Sequence, residues 1–415
     1  MDKTVVELFA GVGGFRCGFN EVEFDGNIVK EQNNWNFIWA NQWEPSTKTQ
    51  AAFDCYIERF GENSCICEDI GQIDKSIIPN HTVLVGGFPC QDYSVARSLS
   101  NEKGIEGKKG VLWWEIAEVL ETKQPPFVLL ENVDRLLKSP STQRGRDFGI
   151  MLRSFLDNGY AVEWRVINAA DYGFPQRRRR IFIFAYHKST NYFNIMTKLP
   201  AKHIVYDKGI FASTFPITDV ELDNGESNIS EYEDIVCISD EFDFSFLNAG
   251  CMINGNIYTY KVEPHYSGEY KTLGDILEEN VNEKYIINDE KLEKWKYLKG
   301  SKRIERKKPN GETYCYSEGA IAFPDHLDVS ARTMLTSEST TNRSSHIIGV
   351  DEENDIYRIL TPVEAERIQM FPDNWTNIES KSMTERRRYF MMGNALVVGI
   401  VQKLGKYLEN IVNNE

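Results

Sequence analysis

The chain has 415 residues, 41% hydrophobic and 26% charged, with a formal net charge of −15 at pH 7. That balance is ordinary for a globular protein, and the length suffices for two or three domains. No apolar run approaches the ~20 residues a bilayer-spanning helix needs, which excludes a helical membrane protein. The start, "MDKTVVELFAGVGG", enters a strand pattern directly with no signal-peptide core, so a cytoplasmic location is expected. Of the cysteines at 17, 55, 65, 67, 90, 237, 251 and 315, only Cys65 and Cys67 are close, and strand alternation points them to opposite faces. The histidines show no metal-ligand spacing, so neither disulfides nor a bound metal is expected. Charge is unevenly spread: residues 219–283 are acidic, 291–308 are basic, and arginines cluster at 177–180 and 386–388. Local basic surface on an acidic protein is compatible with a phosphate-binding face.

In chain order, strand patterns fall at 4–9, 37–41, 64–67, 82–85, 127–130, 162–168 and 180–185. Helical stretches lie between them, including 46–60 and 112–122. The alternation predicts an α/β domain with a largely parallel sheet over 1–190. From 191 to 330 the βα rhythm is lost, and short strand patterns mix with Gly, Asn and acidic loops. A second, smaller domain of mixed or β-rich type is expected there. Over 331–415 order returns, with a helix start at Thr361-Pro362 and an amphipathic helix in "GNALVVGIVQKLGKYLENIV".

Four stretches carry chemistry. "LFAGVGGFRCGF" (8–19) is a glycine-rich turn between a strand and a helix, suited to an adenosyl or dinucleotide ligand. The next strand end supplies Gln42, Trp43 and Glu44, candidates for ribose contact and adenine stacking; the one after supplies Asp69-Ile70, suited to an adenine amino group. "TVLVGGFPCQDYS" (82–94) puts Cys90 behind two glycines and a proline. An isolated cysteine is more often a buried packing residue. "FVLLENV" (127–133) ends an apolar run on Glu131, a carboxylate that is costly to bury unless paired or used. Ligands of open α/β sheets bind beyond the carboxyl ends of strands. Gly11, Asp69, Cys90 and Glu131 each follow a separate predicted strand, so one sheet edge gathers all four. That convergence favours Cys90 as a thiolate nucleophile beside a carboxyl group. In "DYGFPQRRRRIFIFA" (171–185), alternation puts Arg178 and Arg180 on one face, able to hold phosphate or orient a base. The glycine- and lysine-rich segment 95–110 reads equally as a lid beside Cys90 or as a plain connection.

With these stretches placed, residues 1–190 and 330–415 closely resemble the cytosine-C5 DNA methyltransferase family. "ELFAGVGGFRCGF" is similar to its first cofactor motif, "GGFPCQDYS" to its Pro-Cys motif and "ENV" to its glutamate motif. "QRRRRIFI" is similar to its Gln-x-Arg-x-Arg motif, "ARTMLTSESTTNRSSHII" to the segment organising the recognition domain, and "MMGNALVVGIV" to the closing Gly-Asn-Ala motif. The resemblance implies a Rossmann-like S-adenosylmethionine-dependent methyltransferase sheet with a smaller target-recognition domain. It implies that Cys90 adds to C6 of a flipped-out cytosine, that Glu131 contacts N3 and the amino group, and that Gln176, Arg178 and Arg180 assist. Phe9, Gly11, Gly13, Gln42, Trp43, Glu44, Asp69, Ile70 and Asn394 would hold S-adenosylmethionine and its product S-adenosylhomocysteine. The family usually has Glu or Asp where this chain has Gln42, so either Gln42 or Glu44 is the ribose ligand. Ser94, Arg97, Lys294, Lys302, Arg303 and Arg306 would contact double-stranded DNA, with 191–330 as the recognition domain and the acidic stretch 219–283 facing away. A monomer with a cognate restriction endonuclease is the expected context. Three alternatives stand: a tRNA cytosine-C5 methyltransferase, a nucleotide-binding redox-thiol enzyme, and a catalytically dead DNA-binding relative.

Overall fold

A computed structural model of the chain describes residues 1–45, 47–88, 112–307, 311–381 and 383–415. Cys90, Ser94, Arg97 and the 95–110 segment lie outside the described residues.

Nine strands form one sheet in the order β4 (Asn36–Asn41), β1 (Thr4–Leu8), β5 (Val83–Gly87), β6 (Phe127–Val133), β8 (Arg179–His187), β7 (Tyr160–Asn168), β10 (Ala249–Ile253), β11 (Asn256–Lys261) and β9 (Asp223–Asn228). Two short strands, β2 (Glu23–Phe24) and β3 (Val29–Lys30), pair separately. Val83–Val85 of β5 and Phe127–Leu130 of β6 are wholly buried, as expected of strands covered on both faces. Alternation sorts their side chains. Val5, Val83, Val85, Phe127 and Leu129 share one core with Val401, Leu404 and Leu408 of the last helix, Val398–Asn413. Val6, Leu84, Val128 and Leu130 share the other with helices Leu112–Lys123 and Arg146–Asp157.

The sheet is parallel only over β4, β1, β5 and β6; from β8 onward every pairing is antiparallel. The link between β7 and β8 is too short for the crossover a parallel pair requires. The strand pattern at 64–67 yields a single parallel bridge between Ile66 and Asn41. Asn41 Nδ2 donates to the carbonyls of Ile66 (3.2 Å) and Glu68 (2.8 Å), taking an acceptor a longer ladder would use. The sheet does not stop near residue 190: β9, β10 and β11 extend it beyond β7.

Past residue 261 the chain forms helix Asp289–Lys299, the isolated ribbon β12 (Lys302–Lys307) with β13 (Thr313–Glu318), and the pair β14 (Ile347–Asp351) with β15 (Ile356–Ile359). Thr361 caps helix Pro362–Ile368 through a capping box with Glu364. The expected single helix around "GNALVVGIV" is two: Glu385–Asn394 ends, Ala395 and Val397 are extended, and Val398–Asn413 begins. Val398 N–H donates to Gln369 O (2.9 Å), which diverts it from the helical ladder. No described helix is long and apolar enough to cross a membrane, and no group of metal-ligating residues forms among the described residues.

Candidate active site

Because β4, β1, β5 and β6 are parallel, their carboxyl ends meet on one edge. Asn41, Leu8, Gly86 and Leu130 lie in register across the sheet, and Gly87 faces Glu131 in the next row. Glu131 stands inside β6 rather than after it, since pairing continues to Val133 opposite Arg180. A Cβ on Gly87 would stand in ordinary contact with Glu131 Oε2, at 3.4 Å, so the two positions are immediate neighbours. Asn132 Nδ2 donates to Phe88 O (2.9 Å), fixing the strand end two residues before Cys90.

Arg180 Nε lies 2.9 Å from Glu131 Oε1, both half-buried. Arg178, expected beside Arg180 in an open crevice, is instead buried: Nη1 donates to Met334 O (3.1 Å) and Nη2 to Gly393 O (3.0 Å). Burial, then the neighbouring Arg180 charge, pulls its pKa down to about 9, opposed by Glu131. Gln176 is likewise fully enclosed. Its Oε1 accepts from Met334 N–H (3.0 Å), its Nε2 donates to Gln369 Oε1 (3.1 Å), and Gln369 Nε2 donates to Met392 O (2.7 Å). Gln176 and Arg178 therefore belt together four distant segments behind the carboxylate, while among the described residues Arg180 alone pairs with it. Arg178→Lys, which cannot span both carbonyls, should lower the urea unfolding midpoint by the equivalent of about 1–3 kcal/mol. It should also raise the KM for the methyl donor more than it lowers kcat.

The glycine turn is held open from below. Gly11 has φ +57°, and nothing lies within 4 Å of where a Cβ would stand. Gln42 Oε1 accepts the Gly11 N–H at 2.7 Å, so this amide oxygen shapes the turn. Phe9 is in the left-handed region and Gly13 ends the turn before helix Gly14–Phe19. Beneath it Glu7 is fully buried and accepts from Tyr56 Oη (3.0 Å); burial pushes its pKa up to about 8. Trp43 is 37% exposed at the edge. Glu44 is anchored through its backbone to Gln50, and partial burial raises its carboxyl pKa. Asp69 Oδ1 accepts from Gly71 N–H (3.0 Å), Oδ2 has no hydrogen-bond partner among the described residues, and Ile70 beside it is buried. Asn394 is exposed at the end of its helix.

The C-5 cytosine-specific DNA methylase family matches residues 3–410. The chain belongs to this family. It is 50% identical over 409 residues to the Type II methyltransferase M.Sau3AI of Staphylococcus aureus, covering 98% of this chain and 95% of that one. Type II methyltransferase M1.ScrFI of Lactococcus lactis subsp. cremoris is 25% identical, covering 98% and 78%. Among solved structures, a triple mutant of Spodoptera frugiperda DNMT2 superposes with a TM-score of 0.59 at 16% identity, covering 98% of this chain and 99% of that one. That likeness supports the Rossmann-like fold.

The described residues expected to contact DNA are spread over two elements. Lys294, on helix Asp289–Lys299, pairs with Glu290 (2.6 Å). Lys299, within the basic run, is buried against Asp325 (3.1 Å) and so is withdrawn from any ligand. Lys302, Arg303 and Arg306 lie on β12, with Lys302 Nζ 4.6 Å from the Tyr297 ring and Arg306 stacked 3.9 Å from the Tyr316 ring. Sequence reasoning missed Asn132, Gln369 and Trp375, whose indole N–H donates to Val12 O (2.8 Å) in the glycine turn. Asn132 follows Glu131 directly and was detectable; Gln369 and Trp375 act across the fold and carried no local signal.

Proposed function

We propose that this methylase transfers a methyl group from S-adenosylmethionine to C5 of a flipped-out cytosine within a specific double-stranded DNA sequence. The observation that carries the reading is the sheet edge where Glu131, braced by Arg180, faces Gly87 just before the Phe88-Pro89-Cys90 stretch. Residues 1–190 carry the catalytic and cofactor-binding groups, the part of 191–330 beyond the sheet's last strand at Lys261 recognises the target, and 331–415 return to the catalytic part. The enzyme acts as a monomer beside an endonuclease that cuts the same site.

The cofactor residues fit the group. Open space stands over Gly11, an exposed indole face lies at Trp43, and a free carboxylate oxygen remains on Asp69. With the Gln42 oxygen spent on Gly11, Glu44 takes the ribose hydroxyls and Asn394 closes the far side. When bound, S-adenosylmethionine supplies an electrophilic methyl group. Cys90 adds as thiolate to C6, forming the S–C6 bond and moving the ring electrons toward C5. Glu131 accepts from the exocyclic amine and, acting as the acid, gives its proton to N3, neutralising the density that builds there. After transfer a base removes the C5 proton, the S–C6 bond breaks and the thiolate leaves. Ser94 and Arg97 contact the DNA beside Cys90.

Bisulfite sequencing of plasmid DNA incubated with the enzyme and S-adenosylmethionine should show protected cytosines at one recurring sequence. Full conversion everywhere, or modification of tRNA instead, would refute the assignment.

A further inference from the structure

The ribbon β12–β13 stands apart from the nine-stranded sheet and is exposed along nearly its whole length. A two-stranded hairpin with no covering layer is marginal in water by itself. Its two faces differ. Register pairs Lys302 with Glu318, Ile304 with Tyr316 and Arg306 with Tyr314, placing these six on one face. That face is internally satisfied: Arg306 stacks on Tyr316, Tyr316 Oη donates to Glu318 Oε1 (2.9 Å), and Lys302 lies over Tyr297 of the neighbouring helix. The opposite face carries Arg303, Glu305 and Lys307 beside Ser317, Cys315 and Thr313, all exposed. Among the described residues, Arg303, Glu305 and Lys307 have no ion-pair partner.

The root of the ribbon is tied to the catalytic edge. Arg343 donates to Leu298 O (2.8 Å), Gly300 O (3.2 Å) and Gly319 O, the residues flanking both strands. Arg343 belongs to the same segment whose start, Ala331 and Thr333, bonds the backbone of Arg177. One stretch of chain thus sets the ribbon relative to Glu131 and Arg180.

We propose that the outward face of this ribbon, through Arg303, Glu305 and Lys307, enters the major groove of duplex DNA and reads base edges. The inference rests on the DNA reading above. A major groove about 12 Å wide admits a two-stranded ribbon, whereas the deep, narrow major groove of A-form RNA does not. Basic residues at 302, 303, 306 and 307, in a chain of net charge −15, match the polyanion. Arginine pairs with guanine O6 and N7, and a carboxylate accepts from cytosine N4, so Arg303 and Glu305 supply opposite halves of a base code. Lys302 and Arg306 lie on the other face, against Tyr297 and Tyr316, and stiffen the ribbon.

Selection of bound duplexes from a randomised DNA pool by the full-length protein tests this without requiring methyl transfer. The wild type should enrich one sequence. Arg303→Ala and Glu305→Gln should each lose preference at one base pair, with affinity for the wild-type site falling roughly 5- to 150-fold. Their thermal midpoints should match the wild type, because the replaced side chains are exposed and hold no ion pair among the described residues. Unchanged selection and affinity would overturn the proposal, and so would an equal loss for every sequence, the mark of phosphate contact alone. A protein that selects a sequence through Arg303 and Glu305 yet methylates nothing would instead overturn the reaction while leaving the ribbon standing.

Discussion

Cys90→Ala should abolish methyl transfer, lowering the rate by roughly 10³-fold or more, while DNA binding persists. Without the S–C6 bond, C5 of cytosine is not nucleophilic enough to take a methyl group, so no residual route replaces the lost step. The chain's other cysteines sharpen the test. Burial pushes the Cys55 thiol up to about 12 and holds Cys17, Cys65 and Cys251 well above the ordinary range, so none of these four supplies thiolate near neutral pH. DNA carrying 5-fluorocytosine makes the bond visible. Fluorine at C5 cannot leave as the proton does, so the adduct persists and migrates as a protein–DNA species under denaturing conditions. That band should form with the wild type and vanish with Cys90→Ala. A band surviving in the variant would move the nucleophile to an exposed cysteine, Cys67 or Cys315.

Glu131→Gln should lower kcat by roughly 10²- to 10⁴-fold with a smaller change in the KM for DNA. The substitution keeps the side chain's shape beside Gly87 but removes the charge paired with Arg180. A glutamine can still hydrogen-bond cytosine in the ground state but cannot give a proton to N3, so the loss falls on the addition step, where negative density builds on the ring. Single-turnover methylation at saturating DNA separates the two effects. Equal losses in binding and turnover would make Glu131 a docking residue instead. Thermal unfolding controls for loss of the half-buried ion pair with Arg180.

Much of the site was legible because its signals are local. The buried runs at Val83–Val85 and Phe127–Leu130 mark strands, and residues at their ends must share an edge if the strands are parallel. Gly11, Asp69, Cys90 and Glu131 are expected together on that ground, Cys90 lying outside the described residues. The largely parallel sheet was expected one strand too far, because β8 inserts between β6 and β7 and returns antiparallel. Strand alternation put Arg178 and Arg180 on one face but carried no information on what covers it.

By itself the sequence determined the elements, the edge where they converge and the residue types delivered there, since hydrophobic period and turn chemistry act within a few residues. Only the tertiary structure decided which of the delivered groups stay free. Arg178 is spent on Gly393, 215 positions away, and Gln176 on Met334, 158 away. The faces of the 302–318 ribbon were sorted by Tyr297 and Arg343, which approach it from separate elements. A buried polar group must find a partner wherever the fold supplies one, and no local pattern records where that partner will be.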